Sequence, residues 1–306
     1  LRPKKQKISR EFYSYFISTV SKPQFEMESR GVTIYHIYPK QIREIFVPNL
    51  PIDEQNKIVS FLDNKIEKID NIIKNIEQKI KLQKGQKSLL INESVTRGID
   101  PNIEMKDVGV DWFDEVPKHW EIKKLKYLVK HIKEKNTPGK EDKKISPEYV
   151  ESDTGICFNQ YSEHSGDGYK FNPGDILLNK LRIYLKKFLL VDFDGYSIGE
   201  MIVLRTQQSD LSEFIFNCLF SDDLIRYLNS LSTGVKLPRV SPDDILSTKF
   251  PLPPIEEIIE INKFIKHSNL EISKKIFKGK RRIELLNEYK QSLISEVVTG
   301  KKRVVS

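Results

Sequence analysis

Between residues 54 and 95 the apolar positions Ile58, Leu62, Ile66, Ile69, Ile73, Ile76 and Ile80 recur at intervals of 4, 4, 3, 4, 3 and 4, with Lys, Glu and Gln filling most of the rest. This alternation is close to that of a coiled-coil seam and predicts one long helix over 54–95. Asp53 is placed to cap it, and the acidic start suits the positive end of the helix dipole. Residues 257–298 carry a comparable stripe of Ile261, Ile265, Ile272, Ile276, Ile283, Leu286 and Leu293. Arg97-Gly98 and Gly300 mark the C-terminal stops. At about 1.5 Å per residue the first helix runs for roughly 60 Å, too far for one small domain to cover. An antiparallel pair, a rigid rod with a lobe at each end, buries both stripes; two helices each packed on its own domain are the alternative.

The segment between the helices has a different period. Short apolar runs at 155–158, 174–178, 187–191 and 201–204, separated by Gly, Pro, Asn and Asp, predict strands. From Ser212 to Leu231 the pattern turns helical, with Phe216, Leu219, Leu224, Ile225 and Leu228 on one face. The fold class expected is α+β: a mixed α/β lobe joined to two long antiparallel helices.

Both stripes belong to a longer repetition. Pro51 returns as Pro254, and the same offset of 203 pairs Glu54 with Glu257, Ile58 with Ile261, Lys87 with Lys290, Val95 with Val298 and Thr96 with Thr299. The register extends upstream to Gly31-Val32 and Gly234-Val235, and to Leu1-Arg2 and Leu204-Arg205. A unit this long is a domain followed by a helix, not a solenoid layer. The boundaries expected are 1–48 for the tail of a first lobe, with a helix remnant from Phe12 to Ile17, and 49–98 for the first long helix. A linker at 99–107, a second lobe at 108–250 and the second long helix at 251–306 follow. A first unit mirroring the second needs about 95 more residues in front of Leu1, so a fragment or a truncated product is expected.

Composition narrows the partners. A net charge of +8 and a pI near 9.1 point to a polyanion, nucleic acid first and an anionic membrane surface second. No run approaches the length of a membrane span, no signal peptide is legible, and a cytoplasmic protein with reduced thiols at Cys157 and Cys218 is expected.

Two loops carry candidate chemistry. Gly174–Lys187 combines a turn, a strand and the cations Lys180, Arg182, Lys186 and Lys187 around Tyr184. Lysines there can reach phosphates and Arg can match guanine O6 and N7; a solvated strand edge guarded by lysines is the alternative. Ser232–Val240, with Lys236 and Arg239, is a second Gly- and Pro-punctuated loop. Its repeat partner Ser29–Ile37 keeps the frame while Lys236 becomes Thr33 and Arg239 becomes His36. Asp111 with Glu121-Ile122-Lys123 imitates a metal-dependent nuclease, a match common in a chain this rich in Glu and Lys. His36, His119, His131, His164 and His267 form no ligand spacing with the cysteines, so no metal is expected. No phosphate-cradling or dinucleotide fingerprint is present, and no cofactor is implied.

The residues match a known pattern. Leu50-Pro51-Ile52-Asp53-Glu54-Gln55 and, degraded, Leu252-Pro253-Pro254-Ile255-Glu256-Glu257 open the helices; Glu93-Ser94-Val95-Thr96-Arg97-Gly98 and Glu296-Val297-Val298-Thr299-Gly300 close them. With Val116-Pro117-Lys118-His119-Trp120-Glu121, Gly174-Asp175-Ile176-Leu177 and Ser232-Thr233-Gly234, the chain resembles the specificity (S) subunits of type I restriction-modification systems over essentially its whole length. The resemblance implies a non-catalytic reader of double-stranded DNA. Two target recognition domains would each bind half of a split site, and the helix pair, including Ile58, Leu62, Ile69, Ile73, Ile80, Ile261, Ile265, Ile272, Ile276 and Ile283, would space them and dock methyltransferase (M) subunits, to which restriction (R) subunits add. Self-association is a further expectation if the first recognition domain is truly absent. A coiled-coil scaffold whose lobes bind protein is the competing reading.

Overall fold

The computed structural model describes residues 8–20, 47–161 and 166–304. They form two compact units, one of residues 1–83 and 274–306 and the other of residues 84–273. Helix α1 (Arg10–Thr19) precedes the first long helix, α2 (Ile52–Arg97), and the second long helix, here α6, spans Ile255–Val298. Both long helices are the ones the stripes predict. Asp53 lies inside the first turn of α2, so it meets the dipole's positive end without capping it.

In the first unit, the start of α2 packs on the end of α6. Phe12 and Phe16 of α1 join Ile58, Leu62, Ile69, Leu293, Ile294, Val297 and Val298 in one core, which fixes the antiparallel sense. Ile73, Ile80, Ile276 and Ile283 are half-buried along the same seam, and Lys290 pairs with Asp70 at 2.6 Å. Gln55, almost wholly buried, joins the helix-opening turn to α1: its Oε1 accepts from the Ser9 amide at 2.9 Å and its Nε2 donates to the Leu50 carbonyl at 2.8 Å. A buried amide with a partner at each end avoids the penalty of an unsatisfied polar group and fixes the angle of the turn.

A Cβ placed on Gly279 would lie 3.1 Å from Cγ1 and Cδ1 of Ile80 and 3.4 Å from Cγ2 of Ile76. Gly279 is the counterpart of Ile76 at the offset of 203, so one copy supplies bulk where the other supplies room. Gly279→Leu is therefore expected to lower the stability of this seam by about 1–3 kcal/mol through overpacking. Thermal unfolding followed by circular dichroism checks it, and an unchanged or raised Tm would count against the close crossing.

The second unit repeats the scheme. Ile91 and Val95 near the end of α2 pack with Ile258, Ile261 and Ile265 of α6, and Ile272 is buried farther along. The lobe starts with hairpin β1 (Met105–Val110) and β2 (Phe113–Pro117), so a strand occupies part of the segment expected as linker. Strand β3 (Glu121–Lys124) pairs with β12 (Lys249–Leu252). The central antiparallel sheet runs in the order β4 (Lys130–Ile132), β11 (Met201–Arg205), β8 (Ile176–Asn179), β9 (Phe188–Leu190). A second sheet orders the short strands β5 (Lys135–Asn136), β7 (Gly168–Phe171), β10 (Gly195–Ser197) and β6 (Lys144–Ile145).

Strand β8 shows why the lobe has three layers. Successive side chains point to opposite faces, and all four of its residues are buried. Ile176 and Leu178 face the helical core, whereas Leu177 joins Leu189, Met201, Val203 and Phe171 in a separate core toward the second sheet. Helices α3 (Ser209–Leu219) and α4 (Asp222–Ser230) cover the first face. They replace the single helix expected over 212–231, because Ser221 caps the second helix by accepting from the Leu224 amide. Short helix α5 (Pro242–Ser247) leads into β12. The run 155–158, expected as a strand, makes one bridge, Cys157 to Val150, and leaves Ile156 and Phe158 exposed.

Candidate nucleic-acid interface

The loop after β8 is built by its own backbone. Asn179 is buried and folds the chain back, its Oδ1 accepting from the Leu181 amide and its Nδ2 donating to the Leu181 carbonyl. Ile183–Leu185 then forms a single 3-10 turn bracketed by Arg182 at φ 50° and Lys186 at φ 47°. Left-handed backbone at a residue with a Cβ persists only when its surroundings over-determine it. Among the described residues the third such non-glycine position, Asp153 at φ 62°, sits against the same turn, its carboxylate 3.3 Å from Lys186 Nζ.

Lys186 and Lys187 are the anchors. Lys186, expected to reach phosphate, is instead buried with its side chain 8% exposed; its ammonium donates to the Phe220 carbonyl at 3.0 Å and to Asp222. Burial of a lysine tail requires such partners, and they leave it nothing to offer a ligand. Lys187, half-buried, donates to the Pro147 carbonyl at 2.7 Å. With two cations turned inward, Arg182 and a half-exposed Tyr184 are held outward.

The second loop closes on itself and then on the first. Thr233 and Arg239 exchange both backbone hydrogen bonds at 2.9 Å, and Gly234 takes φ 94° to begin the tight path between them. Its apex, Val235, is fully exposed. The Arg182 amide donates to the Pro238 carbonyl at 2.8 Å, the Val240 amide to the Lys180 carbonyl at 3.1 Å, and Leu181 bridges Arg239. Lys180, Arg182, Lys236 and Arg239, which sequence separates by some fifty residues, thus share one ridge. The repeat partner of this loop, residues 29–37, lies outside the described residues.

Glu200 is the member of the ridge that the sequence hides. Its carboxylate holds Arg239 Nε at 3.0 Å and Nη2 at 2.9 Å, and Lys180 Nζ at 3.3 Å, while its carbonyl accepts from the Lys180 amide at 3.1 Å. Burial works to raise its pKa, but the Arg239 hydrogen bond and the Lys180 charge outweigh that and hold it below the usual carboxylate range. Nothing local marks Glu200, because both partners arrive from distant segments.

The nuclease-like residues are used otherwise. Asp111 lies beside Tyr227, whose phenol pKa is pushed up by burial and by the Asp111 charge, and the exposed Glu121 pairs with its neighbour Lys123 at 2.7 Å. Among the described residues no His, Cys, Asp and Glu group could hold a metal ion, and no helix is long and apolar enough to cross a membrane.

The family model described as the type I restriction modification DNA specificity domain matches residues 1–82 and 117–293. The chain belongs to this specificity family. The type I restriction enzyme MjaVIII specificity subunit of Methanocaldococcus jannaschii is 25% identical over 320 residues, 98% of this chain and 72% of that relative. The EcoDI specificity subunit of Escherichia coli is 23% identical over 255 residues, covering 76% of this chain and 56% of the relative. A structure from work on complex assembly and conformational transition of the type I R-M system aligns with a TM-score of 0.74 at 14% identity, over 97% of this chain and 73% of that one. The HsdS subunit of Thermoanaerobacter tengcongensis aligns at 0.54 and 14%, over 99% and 73%. At such identity these structures establish the fold.

Within the specificity fold, three of the motifs that carry the resemblance meet in the second unit. Glu257 Oε2 accepts from Trp120 Nε1 at 3.0 Å and lies 2.7 Å from His119 Nε2. Gly98, at φ 78°, packs so closely that a Cβ would come within 3.2 Å of Glu257 and 3.4 Å of Trp120. The Trp-containing turn, the start of α6 and the end of α2 are therefore one joint, and each motif constrains the others.

Proposed function

We propose that this chain is the DNA-recognition subunit of a type I restriction-modification complex and that the ridge of Lys180, Arg182, Tyr184, Lys236 and Arg239 meets one half of a bipartite site. The observation that carries the assignment is the joining of two cationic loops through the Leu181–Arg239 bridge and the Arg182–Pro238 hydrogen bond. Phosphate contacts position such a ridge and base contacts make it specific, so it needs point charges and planar forks in one rigid frame. The strained turn supplies the rigidity, with Lys186 and Lys187 as its internal braces. The chemistry belongs to partners in this reading: M subunits engage the long helices, R subunits add to them, and the chain acts on DNA in the cytoplasm without a cofactor of its own. The names of the relatives and the antiparallel pairing of the long helices within each unit support that division.

Selection from randomised duplexes tests the residue roles. Arg182→Ala and Arg239→Ala are each expected to cost about 1–3 kcal/mol and to relax preference at a position of one half-site. Lys236→Ala is expected to weaken all sequences alike and to reduce the slope of log affinity against log salt by about 1. A chain that enriches no sequence, yet binds protein through its lobe, would favour the scaffold reading.

A further inference from the structure

Resting on the DNA-reading assignment, we propose that Glu200 is a specificity-determining residue that occupies Arg239 and Lys180 in place of phosphate. Arg presents five N–H donors in a fixed plane. Glu200 Oε1 receives Nε and Nη2 of Arg239 at 3.0 and 2.9 Å, so the side edge of the fork is filled. Among the described residues nothing fills the outer edge, formed by Nη1 and the second Nη2 hydrogen, and this edge can pair with O6 and N7 of guanine. The carboxylate thus takes up one of the two bidentate edges of Arg239, neutralises part of its charge and orients the other edge.

Lys180 completes the device. Its ammonium lies 3.3 Å from the other carboxylate oxygen, and its backbone amide donates to the Glu200 carbonyl, so acid and cation are fixed to one another twice. All three side chains are partly shielded, with 28% of Lys180, 30% of Glu200 and 47% of Arg239 exposed, which keeps the charges from being screened as freely solvated ions are. Two cations with an anion already between them bind an arbitrary phosphate backbone weakly. A duplex that satisfies the guanidinium's outer edge in the right register loses nothing to the carboxylate. Discrimination therefore rises because wrong sequences are penalised, which is specificity by repulsion.

The test uses the full chain and Glu200→Gln, with Glu260→Gln on the exposed face of α6 as a charge-matched control. Affinity for a random-sequence duplex is measured across a salt series, and each protein is put through selection from randomised DNA. Glu200→Gln is expected to bind random DNA several-fold tighter and to steepen the salt slope by up to about 1.8, the release expected when two cations become available to phosphates. Its selected motif is expected to lose definition at a base that the wild type reads, while Glu260→Gln reproduces the wild type in both measurements. Glu200→Asp keeps the charge but shortens its reach, and is expected to move slope and motif in the same direction by less, which provides the answer should the Gln variant not fold. A wild-type chain that enriches a motif which Glu200→Gln reproduces with an unchanged slope overturns this role for Glu200 and leaves the DNA-reading assignment standing. A wild type that enriches nothing overturns both.

Discussion

Leu62→Asp is expected to unfold the unit formed by residues 1–83 and 274–306. Leu62 is completely buried in a core shared by α1, α2 and α6. A carboxylate there loses the transfer energy of the leucine and is desolvated among apolar side chains, so the cost exceeds the roughly 2–5 kcal/mol of a Leu→Ala cavity at such a site. Hydrogen exchange checks it directly. Protection is expected to collapse in α1 and in the flanking stretches of α2 and α6, while the central sheet β4-β11-β8-β9 keeps its own, since it draws on different cores. Retained protection around Phe12 and Val297 would contradict the helix pairing.

The second large effect is at Lys186. Removing its charge with Lys186→Met leaves the Phe220 carbonyl without its donor and Asp222 and Asp153 without their common cation. Both acids are more than half exposed, so they regain water, and the net loss is expected near 2 kcal/mol instead of the 3–5 kcal/mol of a fully enclosed pair. Acid dependence supplies the signature. Burial works to raise the Asp222 pKa, but hydrogen bonds from Lys186 and Ser88 and the Lys186 charge hold it below its ordinary value. A depressed carboxyl contributes stability above its unfolded pKa of about 4, and that contribution is lost as pH falls through the folded value. In Lys186→Met this acid loss is expected to be shallower, in denaturation measured from pH 6 to 2. Sequence preference is also expected to fall further than affinity for random DNA, because the turn that holds Arg182 loses its brace. Uniform weakening across all sequences would instead restore Lys186 to the phosphate contacts.

That reversal shows where sequence was informative. A seven-position stripe at intervals of three and four has one physical reading, and the long helices followed within two residues at each end. Strands β8, β9 and β11 were legible because burial on both faces demands continuous apolar runs. The break at Ser221 was written in the chain as Ser-Asp-Asp, a helix start, but the apolar spacing continues across it and hides the stop. Strands of two or three residues such as β5 and β6 carry no period of their own; their neighbours impose them. The basic loop was visible as composition, whereas the direction of each cation was not. Lys186 turns inward because its backbone is left-handed and Asp222 waits thirty-six residues away, and Glu200 joins the ridge only through Lys180 and Arg239.

Mapping modified bases across the genome of cells carrying the intact chain, lacking it, or carrying Arg182→Ala with Arg239→Ala tests the central claim most directly. A gapped motif is expected that vanishes when the chain is removed and whose one half relaxes in the double variant while the other half and the gap stay fixed. A modification pattern that is unchanged by loss of the chain would contradict the account.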